Sequence, residues 1–203
     1  MEKRGISAAT RGKILRYAKV IFRRAVSLEI IEADPCRAIR APRVEKKEIT
    51  FLAPEEVARL LDVAKDDLKP LFAVACYTGL RMGEITALQW KDVDFSKNLI
   101  NVNKSWKQEN GFISPKTFKS KRSVPMIQSL KEIMIRHYIR SGRPENETLV
   151  FPNTEGKPRD RHRLNNQHLN GARKKAGLPK IRFHDPRHTF ASMMIESGCD
   201  TVT

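Results

Sequence analysis

The sequence predicts an α+β fold, mainly α-helical, with a small antiparallel sheet, and three observations predict it. Most of the 203 residues fall into stretches whose apolar residues recur at helical spacing. Only two short segments, "NLINVNKSW" and "KRSVPM", read as strands. Prolines and glycines stand where helices begin and end, as at Pro54, Pro186 and Gly177.

Taken in order, residues 8–29, "AATRGKILRYAKVIFRRAVSLE", read as one amphipathic helix. Ile14, Ala18, Ile21, Phe22, Ala25 and Val26 recur at helical spacing, while Lys13, Arg16, Lys19, Arg23 and Arg24 point in other directions. A lone helix of this length cannot bury its apolar stripe by itself, so it is expected to be part of a larger helical domain. The stretch "EADPCRAIRAPRVEKKEIT" is rich in proline and charge and reads as a linker. A second unit opens at "FLAPEEVARLLDVA", where Pro54 suits a first helical position and Glu55 and Glu56 suit the first turn. "LKPLFAVACYTGL" is nearly all apolar and predicts a buried helix, followed in "GLRMGEITALQWKDVDF" by a glycine-bounded turn and another helix. The two strands come next, separated by the polar stretch "KQENGFISPKTFKS", with "SPKTFKSKRSVPM" read as a β-hairpin. "IQSLKEIMIRHYIR" is an amphipathic helix, "TLVFP" a short apolar piece, and "RHRLNNQHLNGARKKAG" a basic helix ending at Gly177. The last helix begins in "HDPRHTF", with Asp185 as its expected N-cap and Pro186 at its first position.

Charge narrows the partner. The chain carries 39 Lys and Arg against 23 Asp and Glu, a net of +16. Residues 1–50 have a net of +7, residues 51–100 a net of −2, and residues 101–203 a net of +11. Two basic lobes flanking a near-neutral middle suit an extended polyanion, because each neutralised phosphate releases counterions. Cys36, Cys76 and Cys199 are odd in number and far apart, forming neither a disulfide framework nor a metal-spaced pair. No apolar run reaches transmembrane length, and "MEKRGISAATRGK" has no signal-peptide core. A cytoplasmic protein with reduced thiols and a nucleic-acid partner is expected, with no membrane contact.

Three segments carry candidate chemistry. In "HDPRHTF", Arg187 and His188 fall in a first helical turn with His184 just before it. Cations at the positive end of a helix are unfavourable unless an anion compensates them, which suggests a phosphate. Pairing of Arg187 with a carboxylate and a core role for His184 are the bland alternatives. A zinc site at His184 and His188 is disfavoured, because Pro186 intervenes and the metalloprotease glutamate is absent. In "YTGLRMGEITALQW", Arg81 lies between two apolar segments, with Glu84 close enough to brace it or simply to pair with it. "SPKTFKSKRSVPM" carries Lys116, Lys119, Lys121 and Arg122, a set that suits nucleic-acid backbone.

Together, and in this order, "YTGLRMGEITALQWKDVDF", "PKTFKSKRSVPM" and "FHDPRHTFASMMIESG" resemble the signature segments of the tyrosine recombinases, the phage-type integrases. "FLAPEEVARLL" resembles the start of that family's catalytic domain, and residues 6–43 resemble the last helix and exit of its core-binding domain. The resemblance implies a division into residues 1–44, the end of a core-binding domain plus linker, and residues 45–203, a catalytic domain. It implies Arg81 and Arg187 as the two arginines that clamp the scissile phosphate. It implies Lys116 as general acid toward the leaving 5′ oxygen, His184 as the proton-handling histidine, and Glu84 as a support for the first arginine. Lys119, Lys121 and Arg122 are expected to contact DNA. Double-stranded attachment-site DNA is the implied partner, with tetramer assembly on DNA in the full-length protein, and neither cofactor nor metal is implied. Such chemistry runs without a metal because two planar guanidiniums stabilise the pentavalent phosphorus that a tyrosine attacks.

The sequence departs from the family in one respect. The nucleophilic tyrosine of the family follows the His-x-x-Arg helix, whereas Tyr17, Tyr77 and Tyr138 all precede His184. The chain is therefore expected to lack its nucleophile, to be inactive alone and to be monomeric. A non-catalytic DNA-binding or regulatory protein on the same fold, or a decayed integrase, is the alternative. An unrelated basic RNA-binding protein is a more distant one.

Overall fold

Twenty residues of helix, α1 (Ala8–Ser27), begin at Ser7, whose hydroxyl accepts a hydrogen bond from the Thr10 amide at 3.2 Å. The computed structural model describes residues 5–44, 51–113 and 121–196, and the chain divides into two compact units, Met1–Glu48 and Ile49–Thr203. In the first unit, α1 ends two residues before the sequence suggests, and Glu29 takes a left-handed φ of 56°. The following chain folds back along the helix, and Lys19 Nζ donates to the Ile39 carbonyl at 2.8 Å. No residue of α1 is buried, and Ile14, Tyr17, Val20 and Ile21 all stand exposed.

The second unit is built around one helix. Its elements are α2 (Pro54–Val63), α3 (Lys69–Thr78), α4 (Met82–Ala87), β1 (Val93–Asp94), β2 (Leu99–Val102), β3 (Ser105–Lys107), β4 (Gly111–Ile113), β5 (Arg122–Pro125), α5 (Gln128–Arg140), α6 (Arg161–Arg163), α7 (Asn170–Lys175) and α8 (Asp185–Glu196). A π-helical turn, Leu164–Leu169, joins α6 to α7. In α2 Pro54 stands at the first position, and Glu56 Oε2 accepts from the Ala53 amide at 3.0 Å. Apolar α3 has Pro70 to Cys76 and Thr78 all buried, which its composition requires, and α2, α4, α5 and α8 pack around it. Phe72 of α3 meets Phe183, just before α8, at 6.3 Å between ring centroids.

The antiparallel sheet has the order β1-β2-β5, with Ile100 opposite Val124 and Val102 opposite Arg122. β3 and β4 form a separate two-stranded ribbon, where Trp106 lies opposite Phe112 with the rings edge to face at 4.9 Å. Of the hairpin expected over "SPKTFKSKRSVPM", residues 114–120 lie outside the described residues. Of the strands that flank residues 114–120, β4 pairs with β3 and β5 with β2. Residues 108–110 form the turn between β3 and β4, and Gly111, at φ 70°, opens β4 opposite Lys107.

The tyrosines of this unit belong to packing. Tyr138 of α5 sits edge-on to Trp90 at 4.9 Å and beside Phe95. Tyr77 is half-buried against the core, and burial first, then neighbouring Cys76, raises its hydroxyl pKa.

Candidate functional site

The site grows from the turn between α3 and α4. Gly79 ends α3 in the left-handed region at φ 60°, and two residues later Arg81 occupies the N-cap position of α4. Glu84, in the first turn of α4, is buried, and its carboxylate accepts four hydrogen bonds. The Arg81 amide reaches Oε2 at 2.7 Å and Arg81 Nη1 reaches Oε1 at 3.2 Å. Arg122, first residue of β5, grips the same carboxylate with both amino groups, Nη1 on Oε1 at 3.0 Å and Nη2 on Oε2 at 2.8 Å.

Burial works to raise the Glu84 pKa. The bonds from Arg122 and from the Arg81 backbone, with the charges of both arginines, outweigh it and hold the carboxyl below its ordinary range. A carboxyl depressed in the folded state stabilises the fold fully above its unfolded pKa of about 4.5 and loses that contribution as pH falls through the folded value. Urea unfolding is therefore expected to show stability falling below about pH 4.5, and Glu84→Gln to flatten that fall. An identical acid limb in the variant would sink this assignment.

Helix α8 supplies the other side. Its first residue is Asp185, whose Oδ2 accepts from the Arg182 amide at 2.7 Å. The sequence places Asp185 outside the helix as its cap; in the structure it lies inside the first turn and its side chain reaches back instead. Thr189 is fully buried and its Oγ1 accepts from the Leu52 amide at 2.9 Å, tying α8 to the chain entering α2. Arg187 Nη1 donates to the Gly79 carbonyl at 2.7 Å, so the guanidinium stands at the same turn that leads to Arg81. Partial burial first, and then the positive charges of Arg81 and Arg122, lower the Arg187 pKa, with Glu84 opposing. The guanidinium nonetheless stays protonated throughout the physiological range. His184 is exposed at the mouth of the helix, and its ring meets that of His188 edge to face at 5.2 Å.

The structure therefore brings Arg81, Glu84 and Arg187 to one place, with His184 at the start of the helix that carries Arg187. Lys116 and Lys119 lie outside the described residues. Lys121 is exposed just before β5. Arg122, expected to contact DNA, has its guanidinium turned onto Glu84, a contact across 38 residues that no local spacing encodes. The cluster presents three guanidiniums around one carboxylate, an excess of positive charge with the planar donors suited to a phosphate.

Comparison with known proteins covers nearly the whole chain. The sequence profile of the phage integrase family matches residues 50–203. The ICEBs1 integrase of Bacillus subtilis (strain 168) is 30% identical over 213 residues, covering 98% of this chain and 57% of that protein. The integrase of Salmonella phage P22 is 28% identical over 201 residues, covering 95% of this chain and 48% of its own. The chain spans about half the length of these curated relatives. Among solved structures, the Tn1549 transposon integrase in complex with a circular intermediate DNA superposes with a TM-score of 0.83 at 21% identity, over 98% of this chain and 71% of that one.

Proposed function

Because the chain belongs to the phage integrase family, we propose that it carries the catalytic domain of a site-specific DNA recombinase of a phage or other mobile element. The observation that carries this reading is the convergence of Arg81 and Arg187 on the Gly79 turn, braced by Glu84. Residues 45–203 form the catalytic domain in this reading, and residues 1–44 the end of a core-binding domain with its linker.

In the reaction, a tyrosyl oxygen bonds to the scissile phosphorus, the bond from phosphorus to the 5′ oxygen breaks, and a proton reaches that oxygen. The 3′-phosphotyrosyl link keeps the bond energy for rejoining when a 5′ hydroxyl attacks it. Arg81 and Arg187 hold the nonbridging oxygens, whose negative charge peaks in the transition state. Lys116 delivers the proton to the leaving oxygen and His184 manages the proton of the attacking group. Glu84 orients Arg81. Lys119 and Lys121 add contacts to the DNA backbone. The assembled enzyme acts as a tetramer on two duplexes, in the bacterial cytoplasm. The 203-residue chain by itself is monomeric.

The nucleophile is none of this chain's tyrosines. Tyr138 is engaged with Trp90 and Phe95, Tyr77 is half-buried in the core, and Tyr17 lies on α1 in the other unit. The 203-residue polypeptide is accordingly expected to bind duplex DNA in preference to RNA, with affinity falling steeply as salt rises. It is expected to form no covalent adduct on a nicked attachment-site duplex. Fluorescence anisotropy over a salt series and denaturing gels check the two halves. Equal affinity for RNA would overturn the recombinase reading, and a covalent adduct would overturn the assignment of the tyrosines.

A further inference from the structure

We infer that Arg122 is a positioning residue: it locks Glu84, and through Glu84 it fixes the guanidinium of Arg81. The inference rests on the recombinase reading for the role of Arg81, while the linkage from Arg122 to Arg81 stands on geometry alone.

Arg122 faces both oxygens of Glu84 in a two-pronged contact, at 3.0 and 2.8 Å. This arrangement fixes the plane of the carboxylate, because two parallel N–H bonds leave it no rotation. Arg81 then meets a carboxylate already set in place, receiving its backbone amide on Oε2 and one amino group on Oε1. The exposures divide the labour: the side chain of Arg122 is 33% exposed and that of Arg81 61%. Arg81 reaches solvent with donors left for a ligand, whereas Arg122 spends its fork on the protein.

A second contact fixes the same helix from its other neighbour. At Gly83 an added Cβ would stand 2.5 Å from Ser105 Oγ and 2.7 Å from the Trp106 carbonyl, so β3 lies directly against α4. The ribbon that precedes residues 114–120 is seated on Gly83, and Arg122, close behind that segment, is seated on Glu84. β3 and β5 thus rest on adjacent residues of α4, Gly83 and Glu84. Arg122 holds Glu84, and through it Arg81, a role distinct from the DNA contact its sequence context suggests.

The test uses the 203-residue chain with Arg122→Gln and Arg122→Lys. Lysine keeps the charge beside Glu84 if glutamine loosens the fold, but offers a point charge where a fork is needed. In the free protein, the guanidinium resonances of Arg81 are expected to shift and broaden in both variants, and the carboxyl titration of Glu84 to move to higher pH. Duplex binding is then measured with and without Arg81→Ala. A positioning role makes Arg122→Gln weaken binding in the parent and change it less than about twofold when Arg81 is already gone, since the two effects share one route. A direct phosphate contact would instead lower the slope of log affinity against log salt by about one in either background. That result, or Arg81 resonances unchanged in either variant, overturns the inference. Failure of the parent chain to prefer duplex DNA counts against the recombinase reading, and the resonances of Arg81 still decide the linkage.

Discussion

Alanine in place of Arg187 is expected to lower DNA strand cleavage about 10²–10³-fold in an active recombinase that carries this domain, the usual loss when one preorganised donor to a transition-state oxyanion is removed. The argument starts from an electrostatic imbalance. Arg187 is partly buried, and the charges of Arg81 and Arg122 repel it, with Glu84 in opposition. Such crowding costs energy in the free protein and is relieved when a phosphate enters, so the penalty becomes binding energy at the scissile group. One amino group of Arg187 is tied to the Gly79 carbonyl at 2.7 Å, which anchors the guanidinium at that turn. Its remaining planar donors are left for a ligand, and lysine at this position, a point charge without that fork, is expected to restore little. Single-turnover adduct formation on a suicide duplex measures the loss, with melting curves recorded beside it because the same side chain satisfies a backbone carbonyl. A loss below about threefold, in a variant that melts with the parent, would remove Arg187 from the clamp.

How much of this was legible in the sequence follows from the range of each interaction. Pro54, Glu56 and the apolar run of α3 act within a few residues, so the helices can be read directly. The ribbon of β3 and β4 carried a local signal too, the Asn110–Gly111 dipeptide between Trp106 and Phe112, but three-residue strands give alternation too little room to register. Asp185 stood one position further into its helix than its residue type suggests, because its carboxylate bonds backward to Arg182. At the site, Arg81 and Glu84 sit three residues apart and their pairing could be anticipated. Nothing local joins Glu84 to Arg122, or Gly79 to Arg187 across 108 residues, since those contacts exist only once β5 and α8 have docked. A lone arginine in a basic segment reads as a solvent-facing charge until its buried carboxylate comes into view.

Alanine at Gly79 is expected to destabilise the domain by about 3 kcal/mol, the sum of a left-handed residue with a side chain and an overpacked contact. At φ 60° any Cβ is strained, and here the added atom would stand 2.6 Å from Cδ1 of Phe190, a ring carried by α8. The ring cannot simply swing away, because α8 is pinned beside it by Thr189 on the Leu52 amide and by Arg187 on the Gly79 carbonyl itself. For a domain of this size the melting temperature is expected to fall by roughly 6–12 °C. Gly177 supplies the control: it has φ 66°, yet an added Cβ would meet nothing within 4 Å. Alanine there costs the backbone strain alone, about 1 kcal/mol. The two variants also separate in function. Gly79 lies between the helix that leads to Arg81 and the helix that bears Arg187, so pushing α3 and α8 apart moves the two guanidiniums relative to each other. Gly79→Ala is therefore expected to weaken duplex binding even at temperatures where it remains folded, while Gly177→Ala is not. Equal melting temperatures for the two variants would mean that the joint between α3 and α8 does not set the spacing of the arginines.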